Sequence, residues 1–357
     1  MYNLSVVKED CRRVVNNMGL GLAPLYGKSV LITGANGLIG SFLADLMCYL
    51  NDVCNFGMEI CLTSYSSHTK AERIQHLIER EDVLYFPWDC SEPVITGNLP
   101  PKVDYAFFCS GYGQPSKFLK NNVKTALINT VGVESILSYM VDNNGGSFLF
   151  LSTSEIYGDP PDNMVPTPES YGGLYDFHSN RAAYKESKKL GEIICKEYGR
   201  SPIMKTRSAR VALTYGPGAL KTDQRVLQEF IFKAHNNREI QMLDEGKSIR
   251  NYLYITDSAE ILLNILLHGQ EMVYNVGGDT EPITIFNLAS TIANKFQVPV
   301  RKGATPDAVN KSAPRNVGLA MNLYRREFIQ YGENIVKMET GIANTIKWFN
   351  FKGEQEG

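Results

Sequence analysis

The sequence predicts a doubly wound α/β fold, a parallel sheet with helices on both faces, followed by a smaller C-terminal α/β portion that binds substrate. Short apolar runs alternate with longer amphipathic stretches, and a glycine-rich turn joins the first run to the first helical pattern. Beyond about residue 216 the pattern changes to mixed short elements separated by turn signals such as Pro217-Gly218 and Gly277-Gly278.

Residues 1–27 are an N-terminal extension whose role the sequence does not declare. Strand candidates follow at 28–33, 59–63, 83–87, 105–109, 147–151 and 204–210, where apolar residues cluster in runs too short for helices. Helical periodicity fills the gaps, most clearly over 123–141 and 181–198.

With 43% hydrophobic and 21% charged residues, the 357-residue chain has the composition of an ordinary globular protein. Its formal net charge of -2 gives no basic field for nucleic acid or an anionic membrane surface. No run approaches the roughly 20 apolar residues that span a bilayer, so a cytoplasmic location is the expectation. Seven scattered cysteines, Cys11, Cys48, Cys54, Cys61, Cys90, Cys109 and Cys195, show no metal-ligand spacing and read as reduced thiols. No metal is expected.

Gly34, Gly37 and Gly40 stand at G-x-x-G-x-x-G spacing between the first strand candidate and a helix. Such a turn aims backbone N–H groups and the positive helix end at a pyrophosphate, whereas a glycine turn alone carries no ligand. The strand before it and the further βα units after it favour a dinucleotide, which makes 28–215 the dinucleotide-binding, Rossmann-type unit and 216–350 mainly the substrate-binding portion. Asn36, Leu38 and Ile39 share the turn and join the cofactor set. Sites for NAD place an acid at the end of the second strand, and the stretch from Ser64 to Lys70 has none. Its hydroxyls, with Lys70 and Arg73, suit a 2′-phosphate or simply a solvated loop, so NAD and NADP both stay open. Asp89, after the third strand, suits the adenine amine or opens a turn.

Ser152, Thr153, Ser154 and Glu155 close the fifth strand, and Tyr184 and Lys188 lie four apart on one helix face. A lysine cation beside a phenol lowers its pKa, so that the phenolate takes a hydroxyl proton during hydride transfer, with Thr153 on the same oxygen. Many solvated helices carry such a pair; its position after a dinucleotide turn raises it here.

From Lys28 to Trp348 the chain resembles the extended short-chain dehydrogenase/reductase superfamily. Residues 152–160 are similar to the S-T-S-E-V-Y-G-D-P of UDP-glucuronate decarboxylases except at Ile156, and Ser154 stands where 4,6-dehydratases carry an aspartate. Pro115-Ser116 with Asn129-Thr130-Val131-Gly132 resembles the S-P…N-T-x-G pattern, Tyr171 to Tyr184 resembles Y-x-G…R-x-x-Y, and Asp223 to Val226 looks like D-G-R-V.

The resemblance implies NAD bound by the turn, Ser64, Asp89, Cys109, Ser110, Gly111, Asn129, Tyr184 and Lys188. It implies a nucleotide-sugar substrate bound by Pro115, Ser154, Arg225 and Arg315, and a sugar carboxylate facing Arg250, for which a bidentate guanidinium is suited. Thr153, Glu155, Tyr184, Lys188 and Arg250 then form the catalytic set for oxidation at C4, loss of carbon dioxide and reduction. Arg315 lacks the neighbouring acid of the family pattern, and Leu213 stands where an asparagine is usual. His178 is read as a loop residue. A 4-epimerase, a 4,6-dehydratase or a catalytically silent cofactor sensor are the other readings. The superfamily's habit of pairing the Tyr184 helix and the preceding helix across a homodimer fits the apolar faces of 123–141 and 181–198.

Overall fold

Ser29–Thr33 (β1) is buried along its whole length at the centre of the sheet. The structure, a computed structural model, describes residues 3–278, 282–303, 317–329 and 334–351. In chain order β1 is followed by Glu59–Ser64 (β2), Val83–Pro87 (β3), Tyr105–Phe108 (β4), Gly146–Thr153 (β5), Met204–Val211 (β6) and Val273–Val276 (β7). Together they form an all-parallel sheet in the order β7-β6-β5-β4-β1-β2-β3. All six strand candidates are present, each within two residues of its expected ends. The seventh, β7, was not expected: its four residues lie beyond residue 216, where the periodic pattern had already broken.

Side chains alternate between the faces of this sheet, as a strand's period of two requires. Val30, Ile32, Phe107, Leu149 and Leu151 enter one core, and Leu31, Ala106, Phe108, Phe148 and Phe150 the other. Helices Leu4–Met18 (α1), Leu38–Cys54 (α2) and Ile255–His268 (α7) supply the first core. Val133–Asp142 (α4) and Ala182–Tyr198 (α5) supply the second. The helix expected over 123–141 is broken: Asn122–Leu127 (α3) is joined to α4 by a π-helical turn, Ile128–Gly132. A side chain at Gly132 would collide with the Cys90 carbonyl, so this residue lets the turn pack against the end of β3.

The C-terminal portion carries Val226–Asn236 (α6), Ile285–Phe296 (α8) and Met338–Phe349 (α9), with three short strand pairs. In these, Leu213–Tyr215 runs parallel to Tyr252–Tyr254, and Ile249–Arg250 pairs antiparallel with Ile283–Thr284. Strand β7 and helix α7, both from beyond residue 216, return to complete the main sheet and one of its cores.

The N-terminal extension is mostly the helix α1, N-capped by Asn3 and packed through Val7, Cys11 and Val14 into the first core. Polar groups also cross this contact. The Tyr254 hydroxyl donates to Asp10 at 2.6 Å and Asn17 donates to Glu260 at 2.7 Å, while within the rest of the chain the Val336 N–H donates to Asp257 at 3.0 Å. Burial pushes Asp10 up to about 7, Asp257 to about 6 and Glu260 to about 7, against the opposing pull of Arg13 on all three. Glu9 adds to the acid charge around Asp10, and Lys347 of α9 reaches Glu9 at 3.4 Å. Folded-state values above the ordinary carboxylate range mean that these groups contribute stability most fully below about pH 4 and lose it as pH rises through 6 to 7. The melting temperature is therefore expected to fall between about pH 5 and pH 8, with a shallower fall in Asp10→Asn. An equal slope in that variant would remove Asp10 from the account.

Candidate active site

Strand order reverses around β1, and in open parallel sheets ligands bind outside the carboxyl ends of the strands at such a point. Here β1 and β4 end side by side, with the Cys109 N–H donating to the Thr33 carbonyl at 3.2 Å and the Ser110 N–H to the Thr33 hydroxyl at 3.4 Å. Gly34 has φ +63°, and a Cβ there would lie 2.8 Å from the Cys109 carbonyl group and the Ser110 nitrogen. Gly40 in the first turn of α2 has no room for a side chain against the Gly34 carbonyl. Gly37 caps α2, whose first residues are Leu38 and Ile39, and its N–H donates to the Gly34 carbonyl at 2.8 Å. The turn is thus bare backbone leading into the positive end of a helix.

Asn36 fixes the flank of this turn by donating to the Ser66 hydroxyl at 3.0 Å and accepting from the Arg73 N–H at 3.0 Å. The Arg73 guanidinium donates to the Asn36 carbonyl at 2.8 Å and to the Gly218 carbonyl, so it buttresses the turn. Lys70 is exposed. The Ser64 hydroxyl is buried against the Tyr85 hydroxyl at 2.8 Å. Asp89 accepts from the Ser91 N–H and hydroxyl and from Lys124, the last at 2.5 Å. Burial works against its charge, but the Lys124 and Ser91 hydrogen bonds hold its carboxyl below the usual range. Its bonds from Ser91 shape the turn that follows β3.

Asn129 lies in the π-helical turn, donating to the Ser187 hydroxyl at 2.9 Å, while its side-chain oxygen is buried with no partner. A Cβ at Gly111 would sit 3.9 Å from that oxygen and 3.7 Å from the Lys188 ammonium. Lys188 itself donates to the Leu151 carbonyl at 2.6 Å and sits 4.5 Å over the Phe150 ring, and burial pulls its pKa down to about 8.

Tyr184 projects from the first turns of α5 and stacks on Phe118, of the one-turn helix begun by Pro115, with ring centroids 4.4 Å apart and an interplanar angle of 2°. Its phenol meets the Thr153 hydroxyl at the end of β5, and the same hydroxyl accepts from the Glu155 N–H at 3.2 Å. Ser154 and Glu155 begin the 3-10 turn that follows. Arg181, only 3% exposed, spans the Glu155 carboxylate with one nitrogen 2.8 and 2.7 Å from its two oxygens and rests 5.3 Å from the Phe118 ring centre. The charges of Arg181, Glu155 and Asp159 all act on Arg250, whose guanidinium donates to the Ile249 carbonyl at 2.8 Å and whose pKa burial lowers.

One sequence expectation changes here. Burial and then the Glu155 charge push the Tyr184 phenol up rather than down, and the cation that opposes them is Arg181. Lys188 is turned to the Leu151 carbonyl, because a buried ammonium satisfies its donors at the nearest backbone acceptor. The sequence reading gave Arg181 and Phe118 no role, although Arg181 occupies the R-x-x-Y position three residues before Tyr184.

Elsewhere, Arg225 caps α6 and forks onto Asp223, with its closest approach at 2.6 Å, while donating to the Thr214 carbonyl at 3.3 Å. Leu213 joins the first core, and His178 sits exposed in the loop before α5. Arg315 lies outside the described residues. No group of three or more His, Cys, Asp and Glu suited to a metal occurs among the described residues, and the cysteines among them are all free. No helix among them is long and apolar enough to cross a membrane.

A family profile described as the NAD dependent epimerase/dehydratase family matches residues 30–277. The chain belongs to that family. It is 26% identical over 329 residues to UDP-glucuronic acid decarboxylase 1 of Danio rerio, covering 92% of this chain and 74% of the relative. Among solved structures it is similar to the epimerase Mth375 of Methanothermobacter thermautotrophicus, with TM-score 0.77, 19% identity, and 95% and 97% of the two chains covered. A UDP-glucose 4-epimerase of Thermotoga maritima, solved with UDP-glucose, is likewise similar, with TM-score 0.75, 19% identity and coverage of 90% and 98%. The structural likenesses establish the fold, and the family establishes NAD as the cofactor. The residues present fit it: the side-chain-free turn, the positive start of α2, and the unpartnered Asn129 oxygen beside Gly111 and Lys188 form a cradle for a dinucleotide.

Proposed function

We propose that this family member decarboxylates a UDP-glucuronate-like nucleotide sugar through transient oxidation at C4. The observation that carries the reading is Arg250, a largely buried guanidinium that feels the charges of the Arg181–Glu155 pair next to Tyr184 and of Asp159, and whose fork suits a carboxylate on the sugar itself. In this reading residues 28–215 hold the cofactor and the proton-transfer groups, and 216–350 mainly hold the substrate, with Pro115, Ser154, Arg225 and Arg315 along the nucleotide and sugar.

The turn residues Gly34 to Gly40, with Ser64, Asp89, Cys109, Ser110, Gly111, Asn129, Tyr184 and Lys188, would hold the dinucleotide. When bound, NAD supplies the redox chemistry, taking a hydrogen with its electron pair from a sugar carbon and returning it. Thr153 orients the C4 hydroxyl, and Tyr184, reacting as the phenolate, takes its proton. The resulting ketone lies β to the carboxylate, so the bond to the carboxyl carbon breaks with its electrons passing into the enolate, and carbon dioxide leaves. Arg250 aligns the carboxylate before cleavage, and Glu155, fixed by Arg181, relays a proton from solvent to the carbon left behind. Two copies pair through the exposed apolar residues Val123, Leu127, Leu190 and Ile193 of α3 and α5.

The test is to incubate the protein with UDP-glucuronate, UDP-glucose, UDP-galactose and dTDP- and CDP-linked sugars and to weigh the products by mass spectrometry. Loss of carbon dioxide from UDP-glucuronate is the expected result. An isomer of unchanged mass would replace the reading with epimerisation, and loss of water with dehydration.

A further inference from the structure

We propose that the adenosine end of the cofactor site accepts the 2′-phosphate of NADP as well as the free hydroxyl of NAD. A site that selects NAD places an acid at the end of the second strand, where it binds the ribose hydroxyls and repels a phosphate. Strand β2 ends instead at Ser64, and no Asp or Glu occurs from Leu62 through Ala71. Glu72, the first acid after the strand, is exposed and followed directly by Arg73. The hydroxyl at the strand end has two partners: Ser64 lies 2.8 Å from the Tyr85 hydroxyl and accepts from the Ser66 N–H at 3.2 Å, while Tyr85 donates to the Ser66 carbonyl at 2.5 Å.

The carboxylate on the neighbouring strand end does not take over the missing role. Asp89 is engaged by Lys124 at 2.5 Å and by both donors of Ser91, so its charge is answered within the protein. Lys124, paired with Asp89, also lies 4.2 Å over the ring of Tyr65, the residue that leaves β2, so this ion pair adds no net charge at the rim of the ribose site. The cation there is Arg73, anchored on the glycine turn itself through the Asn36 carbonyl. Lys70, exposed in the short turn that follows β2, is a second. A phosphate placed at this rim meets these cations, and the strand-end acid that excludes NADP elsewhere is absent.

The inference rests on the family's cofactor and not on the decarboxylation reading, so it is tested without substrate. The holoprotein is equilibrated with equal concentrations of NAD and NADP, separated from free nucleotide by gel filtration, and the bound nucleotides are counted by mass spectrometry. Bound NAD and NADP are expected to agree within about tenfold, with the NADP share falling as salt rises. Tyr65→Asp places an acid at an exposed position beside the strand end; it is expected to cut the NADP share by about tenfold or more while NAD stays bound. Bound NAD exceeding NADP by more than about tenfold in the unaltered protein would overturn the inference, as would a Tyr65→Asp variant with the same nucleotide ratio.

Discussion

Tyr184→Phe is expected to slow sugar oxidation by about 10²–10⁴-fold while the cofactor stays bound and the fold stays intact. The phenylalanine keeps the ring that stacks on Phe118, so packing at the start of α5 survives. Only the hydroxyl is lost, and with it the atom that meets Thr153 and accepts the substrate proton. Single-turnover absorbance of the reduced cofactor measures the first step directly, and binding of NAD by calorimetry measures the second quantity. Turnover at the unaltered rate would remove Tyr184 from the mechanism.

Arg181→Met is expected to act on both stability and chemistry. It strips the Glu155 carboxylate of its ion pair with Arg181 at a position where Glu155 is one-quarter exposed. Such a loss costs about 1–3 kcal/mol, less than for a fully buried pair because solvent reaches the acid. The chemical effect has a definite sign. Arg181 pulls the Tyr184 pKa down and Glu155 pushes it up, so the variant leaves the phenol harder to ionise. Oxidation is expected to slow by about tenfold or more near neutral pH and to recover as pH rises. Adding Glu155→Gln to the variant removes the opposing charge and is expected to restore both folding stability and the pH profile in part. A stability and a pH profile that both match the unaltered protein would show that Arg181 does neither job.

How much of this was legible in the sequence depends on how local the signal is. Strand β1 and the turn at Gly34 to Gly40 were readable because an apolar run, glycine spacing and a helical period all fall within a few residues. The alternation that sends Ile32 to one core and Leu31 to the other follows from the same local period. Strand β7 escaped because four mostly buried residues carry no period of their own; only their pairing with β6 makes them a strand.

The site shows the same division. Tyr184 and Lys188 share a helix face at four-residue spacing, and both meet the end of β5, Tyr184 at Thr153 and Lys188 at the Leu151 carbonyl. Where Lys188 points was not legible, since the Leu151 carbonyl that receives it is on another element. The pairing of Arg181 with Glu155 joins residues 26 apart, and the stack of Phe118 on Tyr184 joins a third segment. Burial, which sets the direction of the Tyr184 shift, exists only after those segments have met.

The central claim is oxidation and re-reduction of one sugar carbon within a single turnover, and isotope retention tests it most directly. UDP-glucuronate carrying deuterium at C4 is converted by the NAD-loaded protein in ordinary water, and the product is examined by mass spectrometry and NMR. The account requires the C4 deuterium to be retained in a product lighter by carbon dioxide, with no net consumption of cofactor. A product that forms with the C4 deuterium exchanged for solvent hydrogen, or one that forms equally well from Tyr184→Phe, would contradict it.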